Sequence, residues 1–192
     1  MLQTLLARNL LLAFVVGILQ SPGSPSWDAL AQKSSSIVVA TVESRAWVIH
    51  PEKMASRQKP LPDGKIEVEI PNPRDYIVGS LYRVRVEQTL KKDQRVRAST
   101  TVNIFVPGFM ASAHSSAPLV EGKKYLLFLE PIKVEGNAFS GTRVQRPGAI
   151  VGSKEDFDPK SSFVVVQGGN GAIEINEDNV KVIDQVKAVL NR

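Results

Sequence analysis

The 192-residue sequence predicts a mainly β protein with one C-terminal α-helix and an N-terminal signal peptide. Residues 76–90 alternate apolar and polar side chains, and residues 101–106 repeat the alternation with Val102 and Ile104 on one side. A period of two is typical of a strand with one buried and one solvated face. Residues 125–129 are apolar throughout, which indicates a strand covered on both faces. These three stretches predict the centre of one sheet.

Residues 1–31 have the order of a secretory signal peptide. Arg8 precedes the apolar run 10–19, turn-forming residues follow, and Ala29 and Ala31 occupy the −3 and −1 positions of a cut before Gln32. The apolar run is shorter than the roughly 20 residues that cross a bilayer, so a membrane anchor is disfavoured. We therefore expect a secreted or periplasmic protein that has no transmembrane anchor after cleavage.

Composition narrows the compartment and the class of partner. The chain has no cysteine, and no Asn-x-Ser/Thr acceptor is present, which favours bacterial export and excludes thiol chemistry, disulfides and a lipoprotein anchor. The formal net charge is +5. In an exported protein this charge favours anionic cell-envelope polymers over nucleic acid as partners, although it also serves solubility alone.

The first strand is predicted over residues 37–49, with Val38, Ala40, Val42, Ala46 and Val48 on one face. Residues 50–73 are rich in proline and contain a Pro-Asp-Gly turn at 62–64. Within this excursion residues 65–70 alternate again, which predicts a short strand at a sheet edge, where proline is tolerated.

Beyond the central strands we predict two hairpins and the helix. Residues 132–134 and 138–140 form one hairpin, and residues 163–166 and 172–175 form another around the glycines of 168–171. Asn176 is predicted as the helix N-cap, and the helix has one apolar stripe, made of Val180, Ile183, Val186 and Leu190. The predicted domain boundaries are 1–31 for the signal peptide, 32–152 for the β-domain and 153–192 for the second hairpin and helix, packed on the same domain.

No stretch of the sequence predicts catalysis, a metal site or a cofactor. His50 and His114 are the only histidines and have no ligand spacing, and Gly-x-Ser-x-Gly is absent. The carboxylates of residues 155–158 lack the regular spacing and the glycine of a calcium loop, so a solvated connector is the favoured interpretation.

The candidate binding surface is the polar face of the two strands predicted at residues 76–90 and 101–106, with the basic residues that flank it. Its predicted residues are Arg83, Arg85, Lys91, Lys92, Arg95, Arg97 and Phe105. Basic residues beside an aromatic ring are typical of proteins that bind single-stranded polymers. The alternative is that Phe105 faces a second hydrophobic layer and that the charges are simply solvated.

Three segments carry a resemblance to a known family: residues 37–42 (IVVATV), 82–91 (YRVRVEQTLK) and 121–129 (EGKKYLLFL). Together they resemble poorly characterised exported bacterial domains related to netrin-like and tissue-inhibitor-of-metalloproteinase folds. The resemblance implies a small OB-like Greek-key barrel with a helix packed on it. In the inhibitors an N-terminal cysteine chelates the target's zinc, whereas the mature chain here would begin at Gln32, so no inhibitory residue is transferred.

The leading hypothesis is an exported, non-enzymatic module that binds another macromolecule, either an exported protein or an anionic envelope polymer. One alternative is an inhibitor of exported peptidases that uses residues near Gln32 or the loop 109–119. Another is a hydrolase, whose turnover would depend on His50 and His114.

Overall fold

The computed structural model describes residues 26–54, 56–93, 96, 100–108, 119–146, 155–166 and 170–192. The strands are β1 (Ser36–Ile49), β2 (Arg57–Pro60), β3 (Ile66–Glu69), β4 (Ile77–Lys91), β5 (Thr101–Pro107), β6 (Lys124–Pro131), β7 (Arg143–Gln145), β8 (Ser162–Val165) and β9 (Ala172–Glu174). The α-helices are α1 (Trp27–Lys33), α2 (Pro73–Tyr76) and α3 (Val182–Leu190), and 3₁₀ turns lie at Pro51–Lys53 and Pro159–Ser161.

Seven strands form one sheet in the order β7-β1-β4-β5-β8-β6-β9, and β1 pairs with β6 as well as with β4. The β5–β8 pair is parallel, and the other pairs of this sheet are antiparallel. Strands β2 and β3 form a separate two-stranded ribbon inserted between β1 and β4. The prediction of a mainly β fold with a C-terminal helix is confirmed. Because β8 and β9 belong to the main sheet, this sheet extends past residue 152.

A β-bulge at Glu43 divides β1 into two halves that face different parts of the core. Val42 lies opposite Val84, but Ser44 already lies opposite Arg83, so Glu43 is the extra residue. An inserted residue exchanges the two faces of a strand for everything that follows. The prediction that the five apolar residues at even positions from 38 to 48 share one face is therefore wrong, because the three before the bulge pack in one cluster and Ala46 and Val48 after it pack in another.

Three apolar clusters hold the described chain together. The central cluster contains Tyr82, Ile104 and Leu127, with the first half of β1. The second cluster covers the other face of β1 and β6 with the two longer helices, which contribute Leu30 and Val186. The third lies against the second half of β1 and is built around three aromatic rings in mutual contact, those of Phe105, Phe139 and Phe157.

Both predicted hairpins are wrong. Residues 132–142 contain turns instead of strands, with Gly136 and Gly141 at positive φ, and Phe139 anchors the segment on the third cluster. Strands β8 and β9 do not pair with each other: both run antiparallel to β6, one after the other along its edge. Strands β8 and β9 therefore run in the same direction, whereas the two strands of a hairpin run in opposite directions.

The C-terminal α-helix begins later than predicted. The Asn176 side chain accepts hydrogen bonds from the backbone N–H groups of Asp178 and Asn179, but these bonds close a turn that spans residues 177–181. Asn179 locks this turn by donating its side-chain amide to the carbonyl of Glu174 at 2.6 Å. Val180, which the predicted stripe included, lies in the turn and is exposed, whereas Val186 is fully buried.

Helix α1 was not predicted, and it contains the expected cleavage position. Ser26 caps its N-terminus by accepting a hydrogen bond from the Ala29 N–H at 3.2 Å. Leu30 and Ala31 are buried in the second cluster, and the Trp27 ring stacks on Phe128 with 6.2 Å between centroids. The sequence between residues 27 and 33 thus forms a packed element of the described fold, and the signal peptide with its cut at residue 31 stays a prediction.

Within the described ranges, no α-helix has the length and apolar character needed to cross a membrane.

Candidate functional site

Arg83 and Arg85 lie on the solvated face of β4, as their alternation with the buried Val84 predicts. Both side chains are more than half exposed. Their Nε atoms lie 3.8 and 3.7 Å from the two carboxylate oxygens of Glu43, the bulge residue of β1. These distances allow electrostatic attraction but exceed a hydrogen bond, so Glu43 holds the two arginines side by side without taking up their donors in hydrogen bonds.

Lys91 has a structural role that the sequence did not reveal. Its ammonium donates hydrogen bonds to the carbonyls of Ala31 and Ser34, each at 2.7 Å, and so caps the C-terminal end of α1. A cation at that end also meets the negative end of the helix dipole. Lys91 therefore joins the end of β4 to α1, and this role corrects its assignment to a binding surface.

The other predicted surface residues are separated from one another. Lys92 is exposed beyond the end of β4, and Arg95 and Arg97 lie outside the described residues. Phe105 is only 3% exposed and packs against Phe139 and Phe157, so it faces a second hydrophobic layer and cannot stack on a ligand. The basic surface consequently narrows to Arg83, Arg85 and Lys92 among the described residues.

Arg83 also borders a cleft of about 460 Å³ on the outer face of β1, β4 and β5. The cleft has an apolar floor, a polar wall and a charged rim. The floor contains Ala46, Leu81 and Val144; the wall contains Ser44, Thr101 and Asn103; the charged residues are Arg45, Arg83, Glu121, Arg146 and Glu155. The pairing register explains part of this arrangement, because Arg83 stands between Ser44 on one side and Asn103 on the other.

The charged groups of the cleft differ in how firmly they are held. Arg45 pairs with Tyr82, so its guanidinium lies on the opposite face of the sheet from Arg83, where it is 4.1 Å from the centre of the Trp47 ring and donates from Nη2 to the Ser80 hydroxyl at 3.1 Å. Arg146 donates from Nη2 to Glu155 at 3.2 Å across an exposed rim. Arg83 has the longer contact with Glu43, so it is the cation best able to reorient toward a ligand.

Arg146, Glu121 and Glu155 were missed by sequence reasoning because they come from connections far apart in the chain. Glu155 belongs to the acidic run that was weighed as a calcium loop. In the structure its three carboxylates diverge: Glu155 pairs with Arg146, Asp156 lies 3.8 Å from Arg143, and Asp158 accepts the Lys160 N–H. No group of three metal-ligating side chains occurs among the residues described.

His50 lies near the base of the β2–β3 ribbon, where its Nδ1 is 3.1 Å from a carboxylate oxygen of Glu52. This pairing is a salt bridge only when the imidazole is protonated. His114 lies outside the described residues, so the pair needed by the hydrolase hypothesis is not tested. Gln32, near which the inhibitor hypothesis places its contact, is an exposed residue within α1.

No protein-family model matches the chain, and neither the curated proteins nor the solved structures contain a significant match. The resemblance to netrin-like domains therefore stays a prediction.

Proposed function

We propose that this chain is an exported, non-enzymatic module that binds an acidic group of another macromolecule in the cleft beside Arg83. The observation that carries the proposal is the setting of Arg83, whose guanidinium lies no closer than 3.8 Å to Glu43 and borders a cleft with the polar side chains of Ser44 and Asn103 and an apolar floor. A guanidinium presents parallel N–H donors that match a carboxylate or phosphate in two-point contact. The floor of Ala46, Leu81 and Val144 accommodates the apolar part of the same group.

We further propose that the sheet is an OB-like Greek-key barrel that serves as the scaffold for this cleft. Following the pairings from β1 leads to β4, β5, β8 and β6 in turn, and β6 pairs with β1 again. Rings of five strands with this mixture of antiparallel pairs and one parallel pair are what an OB-like barrel requires. A rigid ring suits a binding module because it fixes the cross-strand positions of Ser44, Arg83 and Asn103.

Binding by the purified protein tests the functional proposal. The probes are an acidic polypeptide, an anionic glycan and an anionic cell-wall polymer, each titrated at low and high salt. At least one should bind, and Arg83→Gln with Arg146→Gln should weaken it about tenfold, which corresponds to about 1.4 kcal/mol. Arg74→Gln, an exposed arginine on α2 away from the cleft, is the matched control.

Two results would contradict the proposal. One is the absence of binding to all three classes of probe. The other is a double variant that binds as tightly as the Arg74→Gln control, because the cleft would then contribute nothing.

A further inference from the structure

The β2–β3 ribbon exposes an apolar stripe on a single face. Ile66, Val68 and Ile70 are 62%, 54% and 81% exposed, and they make up half of the large apolar side chains exposed in the described chain. Ile66 and Val68 lie two apart in β3 and therefore share one of its faces, and Ile70 follows the strand directly with the same spacing. A two-stranded ribbon is at best marginally stable in water, so an uncovered stripe on it indicates a surface that a partner completes.

The backbone of β3 is also open toward solvent at the same positions. At the turn, the Leu61 N–H donates to the Lys65 carbonyl at 2.8 Å, which closes the ladder with a hydrogen-bonded pair. Antiparallel ladders alternate hydrogen-bonded and non-hydrogen-bonded pairs. Ile66 and Val68 lie one and three residues after Lys65, in non-hydrogen-bonded positions, so their N–H and C=O groups point to the free edge of the ribbon.

The opposite edge of the ribbon is unsuited to pairing. The corresponding outward positions on β2 are Gln58 and Pro60, the register partners of Val68 and Ile66. Pro60 has no N–H to donate, and proline at an outward position blocks the addition of a strand. The ribbon therefore has one edge that can accept a further strand, the edge of β3.

Charge determines which strand fits this edge. Glu67 and Glu69 alternate with the apolar stripe, and their register partners on β2 are Lys59 and Arg57. A second copy of β3 paired antiparallel would bring glutamates opposite glutamates, and like charges directly opposite destabilise a ladder. A strand with lysine or arginine at those positions would instead be stabilised by about 0.2–1 kcal/mol per pair.

We propose that the free edge of β3 binds an extended segment of a partner protein in which basic and apolar residues alternate. Main-chain hydrogen bonds to Ile66 and Val68 supply affinity, and the glutamates supply the preference for basic residues. This interaction surface is independent of the cleft beside Arg83, because no residue that lines the cleft belongs to β2 or β3.

The test uses the full chain and two synthetic peptides, acetyl-(Lys-Val)4-amide and acetyl-(Glu-Val)4-amide. The Lys-Val peptide should bind at least about tenfold more tightly, and binding should slow the hydrogen exchange of the Ile66 and Val68 amides. Val68→Pro should weaken binding about tenfold, since it removes an outward donor without touching a ladder hydrogen bond. Val134→Thr, at an exposed valine outside the ribbon, should leave the affinity unchanged.

A second variant guards against distortion of the ribbon by proline. Glu67→Gln with Glu69→Gln keeps the backbone intact and should reduce the difference between the two peptides to less than about threefold. Equal binding of both peptides to the unmodified protein, or binding of neither, would overturn the proposal. Concentration-dependent dimerisation that Val68→Pro abolishes would also overturn it, by identifying a second copy as the occupant. Arg83→Gln with Arg146→Gln should bind the Lys-Val peptide normally, which separates this test from that of the cleft.

Discussion

Substituting Leu30 by alanine tests whether α1 is part of the folded body. Leu30 is only 1% exposed and lies in the second cluster among residues of β1, β6 and α3. The substitution removes three buried carbons, which at about 0.8 kcal/mol each gives about 2.4 kcal/mol. The cavity left behind adds to this, so we expect a loss of about 3 kcal/mol in the free energy of unfolding.

Urea unfolding followed by far-UV circular dichroism measures the loss, with an unchanged slope against urea showing that the compactness of the unfolded chain is unaffected. Gln32→Ala, an exposed position in the same helix, is the control and should change stability by less than about 0.5 kcal/mol. A protein that begins at Gln32 should lose at least as much stability as Leu30→Ala when compared with one that begins at Ser26. A Leu30→Ala loss below about 1 kcal/mol would refute the packing of α1.

Three further substitutions test separate contacts. Lys91→Met should lower the free energy of unfolding by about 1–2 kcal/mol, because it removes the ammonium donor from the carbonyls of Ala31 and Ser34 and leaves the Ala31 carbonyl with only the Ser34 hydroxyl, while Lys92→Met should be neutral in the same urea titration. Gly79→Ala should cost at least about 2 kcal/mol or prevent folding, because a Cβ at this position overlaps the backbone carbonyl of Val106; full stability in thermal unfolding would contradict this. The pKa of Glu87 is lowered from the ordinary glutamate value of 4.5 by hydrogen bonds from the Lys124 ammonium and the Thr41 hydroxyl. Glu87→Gln should therefore cost about 0.5 kcal/mol at neutral pH, and the difference should vanish as the pH falls through that lowered pKa, whereas a difference independent of pH would exclude the ionised carboxylate as its cause.

The central strands could be predicted from sequence because alternation is a local signal. Residues 37–49 and 101–106 correspond closely to β1 and β5, and the short edge strand within 65–70 is β3. The bulge at Glu43 could not be predicted in this way, since it has no glycine or proline and is visible only in the register with β4. The bulge reverses which side chains of β1 face each cluster. It therefore also determines that Ala46 contributes to the floor of the cleft.

Other local signals are compatible with more than one structural role. Alanines at 29 and 31 satisfy the rule for a signal cleavage site, yet they also lie on a helix with a buried face. Asn176 is a good N-cap residue, but the same side chain can close a turn. Lys91 was predicted to bind a ligand because it is positively charged and lies in a basic stretch. Its two carbonyl partners, however, belong to residues nearly sixty positions away. Such non-local partners decide the role of a charged residue, and composition does not record them.

The packing of α1 and α3 in one cluster has a consequence for how the chain acquires its structure. Residues 27–33 are synthesised early, whereas their partner at 182–190 is nearly the last part of the chain to appear. At roughly 5–20 residues per second the intervening stretch takes roughly 7 to 30 seconds to synthesise. For that interval Trp27 and Leu30 have no C-terminal helix to cover them, so the second cluster can be completed only when the last part of the chain has been made.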